Sequence, residues 1–241
     1  MRIAIVSDIH GNLTAFEAVL ADLRETAPDL VLHGGDLGDN GSRPAEVIDR
    51  IRDLAWRGVA GNTDQMLFAP ETLTAFASKA PEALQPMFAA VEEMAAASRE
   101  LLGVERLAWL SRLPMVVTEG EVAVVHASPA SCWSGPAQSA SDEELRVTYG
   151  PLGRAVAVYG HTHMPYVREM AGLIVANSGS AGMPFDGDRR AGYLLIDGVT
   201  PVIRRVEYDV DKELKALREG NRPHDEWTAR TLAIGRPQTL V

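Results

Sequence analysis

Ile3-Ala4-Ile5-Val6-Ser7-Asp8-Ile9-His10 opens the chain with four consecutive apolar residues that run straight into a carboxylate and an imidazole two positions apart. A short continuous apolar run closed by polar residues suits a parallel strand buried on both faces better than a half-exposed alternating one. Asp8 and His10 then sit at its C-terminal tip. After Asn12, an N-cap residue, Leu13, Phe16, Val19, Leu20 and Leu23 recur at helical spacing until Pro28 stops the pattern. Leu30-Val31-Leu32 predicts a second strand with Gly34-Gly35-Asp36 as its exit loop, and Pro44 opens a second helix whose buried stripe is Val47, Ile48, Ile51 and Leu54. A short strand near Val59 delivers Gly61-Asn62. This βαβ rhythm places loop residues at the carboxyl edge of one sheet.

From about Gln65 to Arg112 the texture changes to an Ala-, Met- and Glu-rich helical stretch, interrupted by Pro70, Pro81 and Pro86 and paused at Gly103. Residues 65–112 are expected to form an inserted helical segment, either a cap over the ligand-bearing edge or ordinary outer-layer helices. Strands return at Met115-Val116-Val117 and Val122–Val125, joined by a Glu119-Gly120 turn, and again from Ala155 to Tyr159. Several short strands between Tyr166 and Val206 predict a second sheet, and residues 211–241 read as one helix and a polar, Pro-containing tail. A chain of 241 residues, 46% of them hydrophobic, is expected to form a single α/β domain over 1–241.

A formal charge of -10 argues against sequence-independent binding of long nucleic acid, which needs a positive footprint along the phosphates. The single Cys132 excludes an intrachain disulfide. The N-terminus shows no basic and apolar leader, and no stretch approaches a membrane span, so a cytoplasmic protein without a membrane partner is expected. The Ala- and Met-rich helices could supply a homo-oligomer surface.

Asp8, His10, Asp36, Asn62, His126, His161 and His163 all fall just after buried apolar runs. Taken singly, Asp36 reads as a turn residue and Asn62 as a helix cap, but their repeated position at one sheet edge favours ligation. A glycine precedes Asp36, Asn62 and His161, and is read as allowing a sharp turn at a φ that other residues resist. Two imidazoles flanking Thr162 can serve two adjacent metals from a loop. His126 counts as a ligand because two ions would otherwise lack one nitrogen. Oxygen and imidazole donors of this kind suit two neighbouring divalent ions, with Mn, Fe, Zn, Ni and Co all accepted, and point to phosphoester hydrolysis.

The ordered set Asp8-Ile9-His10, Gly35-Asp36-Leu37-Gly38-Asp39, Gly61-Asn62-Thr63-Asp64, His126 and Gly160-His161-Thr162-His163 resembles the calcineurin-like metallophosphoesterase superfamily. Within it the chain is similar to the small prokaryotic phosphoesterase and phosphodiesterase group, whose last motif is followed by a stretch like Asn177-Ser178-Gly179-Ser180-Ala181-Gly182 and a turn like Gly187-Asp188-Arg189. The resemblance covers roughly residues 1–200. It implies a four-layer α/β/β/α sandwich of two mixed sheets. It further implies that Asp8, His10 and His163 hold the first metal, that Asp36 bridges, and that Asn62, His126 and His161 hold the second. Ions about 3.5–4 Å apart would then activate a shared water as the hydroxide that attacks phosphorus, with Asn62 and His10 as catalytic residues.

The chain departs from the superfamily at Thr63, where many members carry a His that assists the leaving group. A threonine hydroxyl cannot deliver a proton at neutral pH, which favours diesters or activated esters. Asn40 replaces the Arg of the protein phosphatase branch and argues against a phosphoprotein substrate. Thr63, Arg189 and Arg190 are candidate substrate contacts, the arginines because a guanidinium fork matches phosphate. Asp39 and Asp64 are candidates for orienting the ligands from behind. His33 could line the site, and Cys132 and Trp133 a leaving-group pocket, although burial as core is the commoner fate of such residues. Expected, therefore, is a metal-dependent phosphoric ester hydrolase, a phosphodiesterase or phosphatase acting on phosphodiesters, small phosphorylated metabolites or nucleotides. The alternative is a protein-interaction scaffold on the same fold, like the small subunit of retromer. A metal-dependent amide or lactone hydrolase is disfavoured, because the N-terminal His-x-His of such enzymes is missing.

Overall fold

The protein is described here by a computed structural model, over residues 1–239. Strand β1 (Arg2–Val6) pairs in parallel with β2 (Leu30–His33), which pairs in parallel with the short β3 (Arg57–Gly58). Helices α1 (Leu13–Thr26) and α2 (Pro44–Asp53) make the two crossovers. Asn12 does cap α1, its Oδ1 accepting from the Ala15 N–H at 2.9 Å, and Ala27 closes the helix in the left-handed region before Pro28. On α2, Val47, Ile48 and Ile51 are buried, whereas Leu54 falls at the C-cap and is 40% exposed. The apolar stripe thus ends one turn earlier than its spacing suggests.

The second sheet begins with the hairpin of β4 (Val116–Glu119) and β5 (Val122–Val125). Its turn is Gly120-Glu121 rather than Glu119-Gly120, because Glu119 still pairs with Val122 and the positive φ falls on Gly120. Strand β6 (Val156–Tyr159) runs parallel to β5, and β7 (Tyr166–Met170) and β8 (Leu173–Asn177) complete the order β4-β5-β6-β8-β7. The strands between Tyr166 and Val206 do not stay together. Strands β9 (Ala191–Asp197) and β10 (Thr200–Val206) return to the first sheet and give it the order β10-β9-β1-β2-β3, with β9 antiparallel to β1. Both sheets are therefore mixed.

Alternation along the strands builds the layers. Ile3, Ile5, Leu32 and Val59 from the first sheet meet Val122, Val124, Val156, Val158 and Ala176 from the second. Ala4 and Val6 turn instead toward Phe16, Val19, Ile48 and Ile51 of the helices. On the far side, Val125, Ala157, Tyr159 and Val175 pack on Leu145 and Tyr149 of α6 (Asp142–Tyr149), a helix that the apolar periodicity alone does not announce. Helix, sheet, sheet and helix give the four-layer sandwich that the resemblance implies. Each fully buried aliphatic or aromatic side chain contributes about 1.5–3 kcal/mol, so the core between the sheets dominates stability.

The helical stretch comprises α3 (Asn62–Phe68), α4 (Glu71–Ala77) and α5 (Gln85–Leu110), with α5 broken at Gly103 by φ 67 and ψ 171, a conformation reserved for glycine. Leu102 and Leu110 join the core over the first sheet, where the Arg106 guanidinium forks onto Asp49 of α2 at 2.9 and 2.5 Å. The N-terminal half of α5 and α4 lie toward the carboxyl ends of the strands. Where one C-terminal helix was expected there are two, α7 (Val210–Gly220) and α8 (Asp225–Ile234), separated by left-handed Asn221 and by Pro223. The last part of the expected tail, 240–241, lies outside the described residues. Among the described residues no helix is long and apolar enough to cross a membrane.

His33, at the end of β2, is fully buried, with neither ring nitrogen hydrogen-bonded. It packs against Trp109 and over Gly58, where a Cβ would fall on the imidazole. Burial holds its pKa down at about 3, against 6.5 in the open chain. The unfolded chain therefore binds a proton that the folded chain refuses between these values, and stability falls as pH drops through that window by up to about 1.4 kcal/mol per unit. Urea unfolding of wild type and His33→Phe at about pH 7.5 and 5.5 is expected to show the variant gaining on the wild type at the lower pH. A stability difference that does not change with pH would contradict this.

Candidate metal centre

Strands β1, β2, β5 and β6 and the start of α3 deliver seven side chains to one place. His10 Nε2 lies 3.1 Å from His163 Nε2, which is 3.1 Å from Asp8 Oδ1. With Asp36, these residues offer four ligand atoms within 4.8 Å of one another, all buried. A second group adjoins them, with Asn62 Oδ1 at 3.0 Å from His126 Nε2 and 2.8 Å from His161 Nδ1. Asp36 Oδ2 stands between the groups, 3.7 Å from His10 Nε2 and 3.4 Å from His126 Nε2.

The backbone is bent to achieve this. Asp8, His10, Asp36, His161 and His163 all adopt left-handed φ values, between 49 and 63°. Each such residue costs about 1–2 kcal/mol unless its surroundings hold it there. The glycines before the ligands work differently from the expectation. Gly35 does take a positive φ of 88°, but Gly61 sits at -93°, and Gly160 is not among the positive-φ residues. What Gly61 and Gly160 supply is room, since a Cβ would fall on the carboxylate of Asp36 in the first case and of Asp8 in the second.

Hydrogen bonds between loops hold the bent segments. The Asp8 N–H donates to Gly35 O and the His10 N–H to Asp36 O, at 2.9 and 3.0 Å. Asp64 reaches back from α3 and accepts from the N–H groups of Asp36, Leu37 and Gly61, at 2.8, 2.8 and 2.9 Å. Burial, then the charge of Asp36, pushes the Asp64 pKa up, against these donors. Asp36 Oδ1 accepts from the Thr63 N–H at 2.9 Å, and Asp8 Oδ1 from the His161 N–H at 3.0 Å. The turn after β8 joins the two sheets, as Asn177 Nδ2 donates to Gly160 O at 2.6 Å and Ser180 Oγ to Asp8 O at 2.6 Å. Asn177 and Ser180 were legible only as part of a small polar string, with no signal for these bonds.

Ring orientation is set from behind. His126 Nδ1 lies 2.8 Å from Gly34 O, and His163 Nδ1 lies 2.5 Å from Met183 O. A carbonyl only accepts, so both Nδ1 atoms carry hydrogen and both rings turn Nε2 toward the centre, where that atom would ligate once free of a proton. His10 Nδ1 faces the amide of Asn40 at 3.4 Å, and Asn40 Oδ1 is buried without a partner. The amide turned over would accept from Nδ1–H and free the His10 Nε2 lone pair likewise. Burial, then neighbouring His163, holds His10 down at about 4, and burial, then His126, holds His161 at about 4. Burial also disfavours charge on His126, but the Asp36 carboxylate outweighs it and holds that ring up at about 10. A proton there occupies the negative field that suits a cation. Nitrogen and oxygen acceptors facing one another with few donors between them fit divalent metal ions.

The remaining predicted residues fall in three places. Asp39 is buried and accepts from Ser98 Oγ of α5 at 2.7 Å, with burial raising its pKa to about 6. Thr63 lines a cavity beside the centre, its Oγ1 without a partner. Arg189 and Arg190 line a separate groove with Glu207 and Tyr208, where Arg190 forks onto Asp188 and Arg189 donates to Ala233 O. Trp133 lines the same cavity as Thr63, and its Nε1 donates to Gln65 Oε1. That cavity, of about 320 Å³, has Asn62, Thr63 and His161 on one side and Leu73, Phe76, Met87, Phe88, Val91, Met94 and Trp227 among its other walls. Trp227 arrives from α8, and no local signal in the sequence marks it as a cavity residue.

A family profile described as the calcineurin-like phosphoesterase superfamily domain matches residues 1–200. An uncharacterized protein of Methanocaldococcus jannaschii, MJ0912, is 29% identical over 97% of this chain and 98% of its own. Phosphodiesterase YfcE of Escherichia coli K12 is 25% identical over 84% of this chain and 91% of its own. The crystal structure of a metallophosphoesterase from Sphaerobacter thermophilus superposes with a TM-score of 0.78 at 27% identity, covering 98% of this chain and all of that one. The chain belongs to the calcineurin-like phosphoesterase superfamily and is a metal-dependent phosphoester hydrolase.

Proposed function

We propose that the chain hydrolyses phosphodiesters, or small phosphorylated metabolites and nucleotides, at a two-cation centre. In this reading Asp8, His10 and His163 hold one ion, Asn62, His126 and His161 hold the other, and Asp36 serves both. The observation that carries it is Asp36 Oδ2 lying between His10 Nε2 and His126 Nε2, with no lysine or arginine among its hydrogen-bond or ion-pair partners in the described residues. Divalent ions bound by such a set lower the pKa of a water toward neutrality and offset charge on phosphoryl oxygens. Mn or Fe is favoured by the resemblance, whose mixed sites are open and oxygen-rich, and the donors also accept Zn, Ni and Co.

The chain's own groups position and stabilise the ester. Asn62 turns Oδ1 toward two imidazoles, which leaves its Nδ2 to donate to a phosphoryl oxygen as charge builds there. His10, tied at Nδ1 to Asn40, keeps its Nε2 at the reacting centre. Thr63 has a free hydroxyl at the cavity wall that can donate a hydrogen bond but not a proton, so the leaving group must depart with little help. Diesters and activated esters meet that condition, and the phosphodiesterase name of the YfcE relative agrees with it. Asp64 and Asp39 act from behind, one through the Asp36 loop and the other through Ser98. The separate groove of Arg189 and Arg190 argues against a direct hold on the reacting phosphate. Residues 65–112 serve in part as a cap within one domain, and the net charge of -10 disfavours long nucleic acid and suits a cytoplasmic small-molecule enzyme.

Purified apoprotein given Mn should hydrolyse bis-4-nitrophenyl phosphate faster than 4-nitrophenyl phosphate, and Asp36→Asn should lose at least about 100-fold in rate. A folded protein that binds two ions yet turns over neither ester with any of these metals would instead favour the scaffold reading. Gly61→Ala keeps an ordinary φ of -93° but sets a Cβ against the Asp36 carboxylate. Its metal affinity, measured by isothermal titration, should fall about 10–100-fold, the scale of losing a partner that orients a ligand. Gly150→Ala, where a Cβ meets nothing within 4 Å, is the control. Equal affinities in the two variants would contradict the steric argument.

A further inference from the structure

The cavity beside the centre has two unlike sides. Asn62, Thr63 and His161 connect it to the candidate ligands, while its far walls are carbon and sulfur from α4, α5, the loop after β5, and α8. Among the described residues no lysine or arginine lines it, and the one carboxylate there, Asp39, is turned to Ser98 Oγ at 2.7 Å. A second phosphate or a sugar acid would find no counter-charge there. We propose that this cavity receives a flat, uncharged ring carried by the phosphoester, so that the substrates are aryl or nucleoside esters rather than phosphorylated open-chain or sugar metabolites. The proposal rests on the phosphoesterase reading above.

Three features favour a ring over an alkyl chain. Phe76 lies 5.0 Å from Trp133 at 32° and 6.0 Å from Phe88 at 69°, giving an aromatic wall with both face and edge presentations. Met87 and Met94 bring adaptable thioethers that pack well against ring edges. Phe76 and Met87 remain 37% and 36% exposed, apolar surface that a bound ring would cover. The space, about 320 Å³, is at the small end of ligand sites, which run from about 300 to 1,000 Å³. The Thr63 side chain, whose Oγ1 has no hydrogen-bond partner among the described residues, stands where the cavity meets the candidate ligands and offers a heterocycle one polar contact.

Non-hydrolysable probes separate binding from turnover. Calorimetric titration of the Mn-loaded protein should give phenylphosphonate at least about tenfold tighter binding than methylphosphonate, about one ring's worth of buried apolar surface. In Phe76→Ala, which opens the wall, and in Val91→Trp, which fills the space, the phenyl-to-methyl affinity ratio should fall to within about twofold of one. The methylenephosphonate analogues of adenosine monophosphate and ribose 5-phosphate form a second pair. A preference for the adenosine member identifies a nucleobase as the natural ring, and a preference confined to the phenyl pair identifies a simple aryl group. Methylphosphonate bound as tightly as phenylphosphonate by wild type, or a phenyl preference that survives both substitutions, would overturn the ring site while leaving the phosphoesterase reading standing. Neither phosphonate binding, together with no turnover of bis-4-nitrophenyl phosphate, would overturn both.

Discussion

Three carboxylates, those of Asp8, Asp36 and Asp64, are buried beside one another with exposures of 0, 2 and 0%, and no lysine or arginine bonds to any of them among the described residues. Removing ionised groups from water costs several kcal/mol each unless opposite charge or many donors replace the solvent. Asp64 is answered by three backbone N–H groups, but Asp8 and Asp36 face imidazoles whose other nitrogens are bound to carbonyls or an amide. The negative field left there is one that divalent cations would offset. The rest of the architecture can be understood as what holds these groups together against their mutual repulsion.

Two sheets are needed for that purpose. The first contributes Asp8, His10 and Asp36, the second His126, His161 and His163, and neither group alone would supply the proposed ligand set. The core between the sheets fixes their spacing through side chains with almost no freedom to shift. Ser180 then fastens the turn after β8 to the end of β1 in the other sheet, while Asn177 ties it to the loop after β6 in its own. Left-handed backbone at five candidate ligand residues is tolerable because these bonds over-determine it. Strain, burial and charge are thus concentrated at a single edge, and binding of metal relieves the last of these.

Much of this edge could be read in the sequence because its signals are local. A buried apolar run followed at once by Asp, His or Gly-Asn marks a strand end, and the parallel β1-α1-β2-α2-β3 order places such ends side by side. Harder to read was anything set by distant partners. Nothing local tells that β9 will return to lie antiparallel beside β1, since its composition suits either sheet. The reason for Gly61 and Gly160 was misjudged, because the obstacle is a carboxylate from another loop rather than their own φ. Asn40, noted only for not being Arg, touches His10, and Trp227 reaches the cavity from the end of the chain. Apolar periodicity also could not distinguish helices that only cover a sheet from helices that wall a cavity, and α5 does both.

In the proposed centre Asp36 would lie between two cations rather than beside one. Electron paramagnetic resonance of the Mn-loaded protein tests that directly, because two Mn ions sharing a bridging carboxylate exchange-couple while separate ions do not. A coupled spectrum with compressed hyperfine spacing is expected in wild type, replaced by that of an isolated ion in His161→Ala, which would remove a proposed ligand of one cation only. A wild-type spectrum of isolated Mn at saturating metal would contradict it.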